Sequence, residues 1–473
     1  MVDGRELAAQ FENAADFETR KVLCGGQLLT VLFLDGLTSG GDIAEQVVRP
    51  LAQMTDEARE EVLYTRALQG GVWCASVKEP ESTQQAAELL VNGFCVILFP
   101  KSGKALGCEV KTGEKRSPSP PETENTVKGA KDAFTETLRT NTSLVRRHLR
   151  TPGLRLTETV VGKRTLTKVT VCWIDRLPDP ELPRRMQERL SSIDIDGALS
   201  PAAIEEYVTG SRRTAFPLLE YTERTDHFCQ GLLDGQVGLL ADGLPLGYLA
   251  PVGLGRLMRS PEDRATDFFS ASMLRLLRYA ALGVSLLLPA LYAAMAMFHQ
   301  QMLPTKLLLS IIESKQNVPF STLLEVLGLL CAFELLQQAG LHLPQAVGTA
   351  VSIIGGLVVG TAAVDAKLVS PAALIVTASS GICGFTLPNR ELSDAVRLWR
   401  FVLTVLAGLW GLFGVTVGLL LLLTELAGLE SLGRSYLSPF GRAEVKGALV
   451  RPRLVRQKWR DGALKPMDDQ NQR

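Results

Sequence analysis

The stretch YAALGVSLLLPALYAAMAMF (residues 279–298) decides the class of this chain, because twenty consecutive residues carry no charge. A helix of about 20 residues is long enough to cross a ~30 Å hydrocarbon core. Three further uncharged stretches follow at 346–364, 368–388 and 401–424. We therefore predict an α-helical, multi-pass membrane domain over residues 271–424, with four transmembrane helices.

A fifth apolar stretch, 318–344, differs because it contains the acids Glu325 and Glu334. An acid at membrane depth is costly and marks a functional site by default, whereas an acid at the interface simply reaches water. Both interpretations stay open. Basic residues precede the first span and fill the tail after residue 424, so the positive-inside rule places both ends in the cytosol. That requires an even number of crossings and favours a fifth stretch that does not cross fully.

Small residues recur every four positions in the second span, at Gly348, Ser352, Gly356 and Gly360. Residues four apart share one face of a helix, and small side chains let helices approach closely in lipid. Helix packing is the simpler interpretation of this face. The alternative is that the face lines a narrow conduit or slides during gating. The glycines at 408, 411, 414 and 418 form a similar seam in the last span.

The polar half of the chain alternates short apolar runs with helical patterns, which predicts an α/β fold with a sheet at its core. TVLFLDGL (30–37) aligns with TVCWIDRL (170–177), and LLVNGFCVILF (89–99) aligns with GLLDGQVGLLA (231–241). Either the region is duplicated or the similarity reflects ordinary strand and turn composition. The predicted boundaries are an N-terminal tail (1–20), two cytosolic α/β subdomains (21–112 and 129–270) around a Pro/Ser-rich linker (113–128), the membrane domain, and a basic tail (425–473).

Composition and motifs argue against catalysis. The 50 basic and 50 acidic residues balance, so global charge predicts no nucleic-acid partner. Eight scattered cysteines without a CxxC pair, and only four histidines, predict no metal site and no cofactor. The sequence contains no phosphate-binding loop, dinucleotide fingerprint or nucleophile elbow. We therefore expect that the chain is not an enzyme. The charged start also predicts no cleaved leader and an N-terminus in the cytosol.

The segment KGAKDAFTETLRTNTSLVRRHL (128–149) resembles a motif of the GerA family of spore germination proteins, the germinant receptor A subunits. Further stretches agree in order, among them 222–251, 260–279 and 353–371, so that the resemblance covers about residues 11–459. The cytosolic residues that match the family pattern are Phe134, Glu136, Asn141, Arg146, Arg147, Glu223, Arg224, Asp226, Asp242 and Gly243. The chain departs from the family pattern at Thr225, Gln301, His342 and Thr361, which leaves its ligand and partners open.

The resemblance implies a multi-pass protein of the spore inner membrane that forms an oligomeric, ligand-gated, ion-conducting assembly and triggers germination. It also implies two partners: a transporter-like B subunit that binds the germinant, and a lipoprotein C subunit. An alternative is the paralogous stage V sporulation protein AF, an accessory membrane protein that amplifies germination and dipicolinic acid release. A third reading, a membrane-tethered enzyme in residues 1–270, lacks a catalytic set.

Overall fold

The computed structural model describes residues 2–54, 58–111, 121, 124, 128–210, 214–342, 360–438, 440, 445–453, 455, 457–460, 462–464 and 466–471. The chain forms two compact units. The first comprises Met1–Arg212, Leu219–Pro251 and Val455–Arg473, and the second comprises Arg213–Leu218 and Val252–Leu454. Each unit is described separately.

The first part of unit 1 is a five-stranded antiparallel sheet in the order β1-β2-β4-β5-β3. Its strands are β1 (Phe17–Cys24), β2 (Gln27–Leu34), β3 (Val77–Lys78), β4 (Phe94–Phe99) and β5 (Lys104–Glu109). The helices of this part are α1 (Gly4–Gln10), α2 (Gly40–Asp42), α3 (Arg49–Gln53), α4 (Glu60–Arg66) and α5 (Thr83–Val91), with π-helical turns at Ile43–Val48 and Ala67–Gly71.

Strand β4, FCVILF, is buried at every position because both faces of this sheet are covered. Side chains alternate between faces along a strand. Accordingly, Cys95 and Ile97 belong to one apolar cluster, with Leu63 of α4. Val96 and Leu98 belong to another, with residues of α1 and α5. A run without polar residues is thus what a strand between two packed layers requires.

The second part of unit 1 is another five-stranded antiparallel sheet, in the order β6-β7-β9-β10-β8. Its strands are β6 (Leu154–Val161), β7 (Thr167–Ile174), β8 (Glu220–Thr222), β9 (Val237–Ala241) and β10 (Gly247–Ala250). Its helices are α6 (Leu138–His148), α7 (Glu181–Ser191), α8 (Pro201–Thr209) and α9 (Thr225–Asp234). The strand order equals that of the first sheet, and β2 and β4 correspond to β7 and β9 as the aligned sequences do. We call the two parts the first and second repeat.

Unit 2 is helical. Its helices are α10 (Leu254–Leu257), α11 (Glu262–Ala265), α12 (Phe268–Met297), α13 (Thr305–Lys315), α14 (Thr322–His342), α15 (Gly360–Asp365), α16 (Pro371–Phe385), α17 (Arg390–Gly428) and α18 (Val445–Leu449), with a short hairpin β11 (Glu430–Ser431) and β12 (Arg434–Ser435). Among the described residues, α12, α14 and α17 are long and apolar enough to cross a membrane, whereas the apolar helix α16 has 15 residues. Most of the predicted span 346–364 lies outside the described residues.

Helix α17 is a hairpin of two arms that reverses at Gly411, whose φ of 63° and ψ of −142° are not helical. The arms pack against each other: a Cβ on Gly418 would lie 2.4 Å from Cδ2 of Leu403, and one on Gly414 would clash with the Leu406 carbonyl. We call residues 390–410 the first arm and 412–428 the second arm. The glycine seam predicted for this span therefore lies largely between its own arms, and 401–424 comprises parts of both.

The helices of unit 2 share two ends. At one end, Leu392 and Leu426 of the two arms pack in one cluster with Leu257. We call this the basic end, because Arg275 and Arg278 near the start of α12 bind Asp263 there. At the opposite end, which we call the tip end, a Cβ on Gly411 would lie 2.8 Å from Cε1 of His299, directly after α12.

Helices α14 and α16 run parallel to each other. Glu325 near the start of α14 accepts a hydrogen bond from the backbone N–H of Ser370 at the start of α16. Further along both helices, a Cβ on Gly381 would lie 2.5 Å from Cζ of Phe333.

Candidate functional site: buried polar groups among the apolar helices

The first polar group lies near the tip end, around Glu325. Its side chain is fully buried, and its Oε2 lies 3.2 Å from Nζ of Lys315, which is 19% exposed. The hydroxyl of Tyr292 on α12 is also buried and has no hydrogen-bond partner within the described part of the chain. From the sequence, Glu325 could lie either inside the membrane or at its interface. In the structure its carboxylate forms a buried ion pair with Lys315.

The second polar group lies midway along the helices, around Arg400 of the first arm. Arg400 is fully buried. Its Nη1 donates to Oγ of Ser380 at 3.1 Å, and that hydroxyl donates to the Ser285 carbonyl at 2.7 Å. Among the residues that the structure describes, Nε and Nη2 of Arg400 and Oγ of Ser285 have no hydrogen-bond partner. A buried guanidinium therefore keeps one edge without a counter-charge.

The third polar group lies towards the basic end, where α14 meets the first arm. Oε1 of Glu334 lies 2.7 Å from Nη1 of Arg397, which also donates to the side chain of Gln337. Asp394 pairs with the same guanidinium from one turn away. The second oxygen of Glu334 is buried and has no hydrogen-bond partner among the described residues. Glu325 and Glu334 thus belong to two different polar groups, although both lie on α14.

Charged groups buried among apolar helices are costly unless a neighbour pairs with them. Here the pairing is incomplete at Arg400 and Glu334, and both ion-pairing acids of α14 bind residues of other elements. These groups offer no nucleophile with an adjacent base. Among the described residues, no cluster of His, Cys, Asp or Glu could hold a metal ion.

The small-residue face predicted in the second span is described only at its end. Gly348, Ser352 and Gly356 lie outside the described residues. Gly360, the first residue of α15, is buried, and a Cβ there would lie 3.6 Å from the side chain of Leu374 on α16. At this one position the predicted face contacts a neighbouring helix.

The cytosolic residues of the family motif are located in the second repeat, around the start of α6. Asn141 closes the turn before this helix: its Oδ1 accepts from Thr135 N at 2.7 Å, and its Nδ2 donates to Thr135 O at 2.6 Å. Phe134 packs edge-on against Phe228, with ring centroids 5.3 Å apart. These contacts fix the chain that leads into α6.

Residues from the other half of the motif complete this framework. Asp242 accepts from Leu138 N at 3.0 Å and so caps α6 across the sheet. Gly243, with a φ of +82°, donates its N–H to the Glu136 carbonyl at 2.7 Å. The Glu223 carbonyl accepts from Phe134 N at 2.8 Å. These residues of the family motif therefore belong to one hydrogen-bond framework around the start of α6.

Three arginines of the motif differ in environment. Arg146 is buried and binds Asp16 of the first repeat with two hydrogen bonds, Nε–Oδ2 at 2.7 Å and Nη2–Oδ1 at 2.8 Å. Arg224 is also buried and binds Asp226 through the same two nitrogens. Arg147 is exposed on α6. The motif thus contains one ion pair that joins the two repeats and one that is local.

A histidine that the sequence did not single out lies beside this framework. Nε2 of His148 is 2.7 Å from Oδ2 of Asp132 and 3.2 Å from the Thr225 hydroxyl. The hydrogen bond to Asp132 raises the pKa of His148, and the same bond lowers the pKa of Asp132 to about 2. No local sequence pattern marks this pair, because Asp132 lies in a loop 16 residues before His148.

Two antiparallel α/β sheet regions with the same strand order, followed by long apolar helices with buried ion pairs, define a membrane protein of two parts. The chain belongs to the Bacillus/Clostridium GerA spore germination protein family, whose model matches residues 5–466. The expected resemblance to the germinant receptor A subunits of this family is confirmed, and with it the expectation that the chain is not an enzyme.

Relatives cover most of the chain. It is 36% identical over 439 residues to the uncharacterized membrane protein YfkQ of Bacillus subtilis (strain 168), spanning 92% of this chain and 84% of the relative. It is 34% identical over 456 residues to spore germination protein KA of the same organism, spanning 94% and 83%. Among solved structures, it is similar to the N-terminal domain of the A subunit of the Bacillus megaterium spore germinant receptor GerK3, with a TM-score of 0.42 and 23% identity over 52% of this chain and 92% of that one.

Proposed function

We propose that the chain is a germinant receptor A subunit whose helices form a ligand-gated, ion-conducting assembly in the spore inner membrane. The observation that carries the proposal is the guanidinium of Arg400, which is buried among apolar helices and whose Nε and Nη2 have no hydrogen-bond partner among the described residues. Ionisable groups inside a membrane are rare and costly, and they mark substrate or ion pathways, proton relays or voltage sensors. The ion pair between Glu334 and Arg397 also offers a two-state element that a ligand could bias, provided that the ligand prefers one of the two states.

The parallel course of α14 and α16 supports a membrane crossing by the predicted span 346–364. The chain leaves α14 at one end of the helices and enters α16 at the other, and a crossing by the predicted span would connect these two ends. About 20 helical residues suffice for that distance. Helices α12, α14 and α16, this span and the two arms then make an even number of crossings, which exceeds the four predicted from the sequence and keeps both chain ends in the cytosol.

The remaining parts of the proposal come from the family. The B subunit would bind the germinant, the C subunit would complete the receptor, and several A subunits would surround the conduit. The face of Gly348, Ser352, Gly356 and Gly360 would pack at, or line, that conduit. The exposed apolar residues of the long helices would contact lipid and neighbouring subunits.

The test is potassium release from spores exposed to a panel of nutrients, with and without this gene. Loss of the response to one nutrient class supports a receptor subunit. A complementing gene with Gly356→Leu should restore protein levels but not release, or should fail to assemble. Gly283→Leu on α12 is the matched control, because an added Cβ there meets no atom within 4 Å among the described residues. Normal release and normal levels in the Gly356→Leu strain would refute the assignment of the face.

The paralogous stage V sporulation protein AF remains the second candidate, since it shares this architecture. A uniformly slower response to every nutrient in the deletion strain would favour it. Neighbouring genes give an independent comparison: adjacent B and C subunit genes favour the receptor, and an adjacent dipicolinate channel operon favours the paralogue.

A further inference from the structure

The start of α12 extends beyond the part of the helix that fits into hydrocarbon. The helix has 30 residues. At 1.5 Å per residue its length is about 45 Å, whereas the hydrocarbon core of a bilayer is about 30 Å thick. Residues 279–297, which carry no charge, fill most of that thickness by themselves. When α12 crosses a membrane, residues 268–278 at the basic end therefore lie at the depth of the lipid headgroups.

These first turns expose apolar side chains, although they lie outside the uncharged stretch. Phe269 and Met273 are 75% and 72% exposed, and Leu276 is 48% exposed. Residues three and four apart share one face of a helix, so these three side chains form a continuous apolar stripe. A helix that faces water carries polar residues on its exposed side. The stripe therefore indicates contact with an apolar environment.

The side of α12 that faces away from the stripe is basic. Arg275 and Arg278 both bind the carboxylate of Asp263, which precedes the helix. Nη2 of Arg275 lies 3.1 Å from Oδ2 of this carboxylate, and Nη1 of Arg278 lies 2.8 Å from Oδ1. Two guanidinium groups thus share one carboxylate, so that this contact keeps one positive charge in excess.

The basic tail adds a positive charge beside the stripe. The guanidinium of Arg453 lies over the ring of Phe268, 5.2 Å from its centroid. That ring packs edge-on against Phe269 of the stripe, with centroids 5.5 Å apart. Arg451, two residues earlier, is buried and donates from Nη1 to the carbonyl of Thr266, just before α12. The tail is thus fixed at the start of the helix, and the exposed side chain of Arg453 lies next to the stripe.

We propose that the first turns of α12 and Arg453 form a binding site for an anionic phospholipid. The guanidinium of Arg453 donates hydrogen bonds to the lipid phosphate, as arginine does at phosphate sites. The acyl chains lie along Phe269, Met273 and Leu276. Basic residues beside a membrane attract anionic lipids, so the site prefers them over zwitterionic lipids with the same acyl chains. This site requires that α12 crosses the membrane, and it is independent of the ion-conducting role proposed above.

The experiment is native mass spectrometry of the full chain in detergent, titrated with dioleoylphosphatidylglycerol or with dioleoylphosphatidylcholine. We expect the anionic lipid to bind more tightly. Arg453→Gln should weaken its binding about fivefold, the effect of one basic residue beside a membrane, and should leave the zwitterionic lipid unaffected. Arg453→Lys keeps the charge and should keep most of the affinity. Because Arg453 is exposed, the midpoint of thermal unfolding without lipid should be the same in all three proteins.

A second variant tests the apolar part of the site. Phe269→Ser should weaken the binding of both lipids by the same factor, because their acyl chains are identical. Lys163→Gln and Leu199→Ser are the matched controls: they change a charged and an apolar side chain of the second repeat that are 70% and 81% exposed. Neither control should change the binding of either lipid.

Three results would overturn the proposal. The first is equal affinity of the wild-type chain for both lipids, or wild-type binding of the anionic lipid by Arg453→Gln. The second is displacement of the bound anionic lipid by inorganic phosphate, which would assign the site to free phosphate. The third is a change of oligomer mass in Phe269→Ser with unchanged lipid binding, which would assign the stripe to a neighbouring subunit.

Discussion

The ion pair between Arg146 and Asp16 allows a quantitative test of how the two repeats are held together. The two side chains are 1% and 2% exposed and share two hydrogen bonds. Replacing Arg146 with methionine keeps most of the side-chain volume but leaves the Asp16 carboxylate buried without a counter-charge. Breaking a buried pair in this way costs about 3–5 kcal/mol.

That free energy converts into a rate of local opening. Since about 1.4 kcal/mol is a factor of ten, opening of the contact between the repeats should become roughly 100- to 4,000-fold more frequent. Hydrogen exchange measured by mass spectrometry on the full chain in detergent reports this directly. The affected amides should include those of Ala15 and Leu156. The first donates to the Leu156 carbonyl at 2.8 Å and the second to the Asn13 carbonyl at 3.1 Å, so both hydrogen bonds join the two repeats.

Two further variants show whether the reasoning holds. Arg146→Met combined with Asp16→Leu should recover most of the protection, because an apolar pair of similar volume is often as stable as a buried ion pair. Lys163→Met breaks an exposed pair with Asp194, whose side chains are 70% and 73% exposed, and should cost less than about 1 kcal/mol. Exchange within tenfold of the wild type in Arg146→Met, or equal damage in the double variant, would refute the account.

Three other predictions follow from the structure. The contact of His148 with Asp132 should stabilise α6 at pH values between the two pKa values. The stabilisation from His148 is lost as the pH rises from 6.5 through its raised pKa, and that from the Asp132 carboxylate is lost as the pH falls from 3.8 to about 2. His148→Gln should therefore remove the upper transition when urea unfolding is measured as a function of pH. Gly381→Ala should lower stability by about 1–3 kcal/mol through overpacking, whereas Gly283→Ala should be neutral or slightly stabilising, which thermal unfolding in detergent would measure. Arg400→Met should raise the midpoint of thermal unfolding, because it removes a buried charge that lacks hydrogen-bond partners among the described residues, and it should abolish potassium release. A lower midpoint would show that other groups stabilise the buried guanidinium.

The sequence predicted those features that depend on local pattern. Apolar runs of about six residues in the polar half became strands such as β4, and the aligned stretches became equivalent strands of two sheets with one topology. The uncharged stretch at 279–298 became most of α12. The period of apolar residues and the length of an apolar run predict such elements, because both depend only on residues that are close in sequence.

Features that depend on distant residues were not predictable in this way. Arg146 was recognised from its motif, but its partner Asp16 is 130 residues away. The uncharged stretch at 401–424 gave no sign that the chain reverses inside it. Four glycines there repeat at similar spacing, and only the backbone of Gly411 takes the positive φ that turns the helix. Which glycine bends depends on the packing of the arms, not on the spacing itself.

The reversal at Gly411 also resolves a conflict in the charges. With one crossing at 401–424, Arg390 would lie on the opposite side from the basic tail that begins near Arg434, and the positive-inside rule would be violated at one of them. In the hairpin, the start of the first arm and the end of the second arm pack in the same cluster, near Leu257. The basic residues that flank both arms then share one end of the helices with Arg275 and Arg278. A single glycine thus places the basic residues that flank both arms at the same end of the helices, which the number of uncharged stretches by itself did not allow.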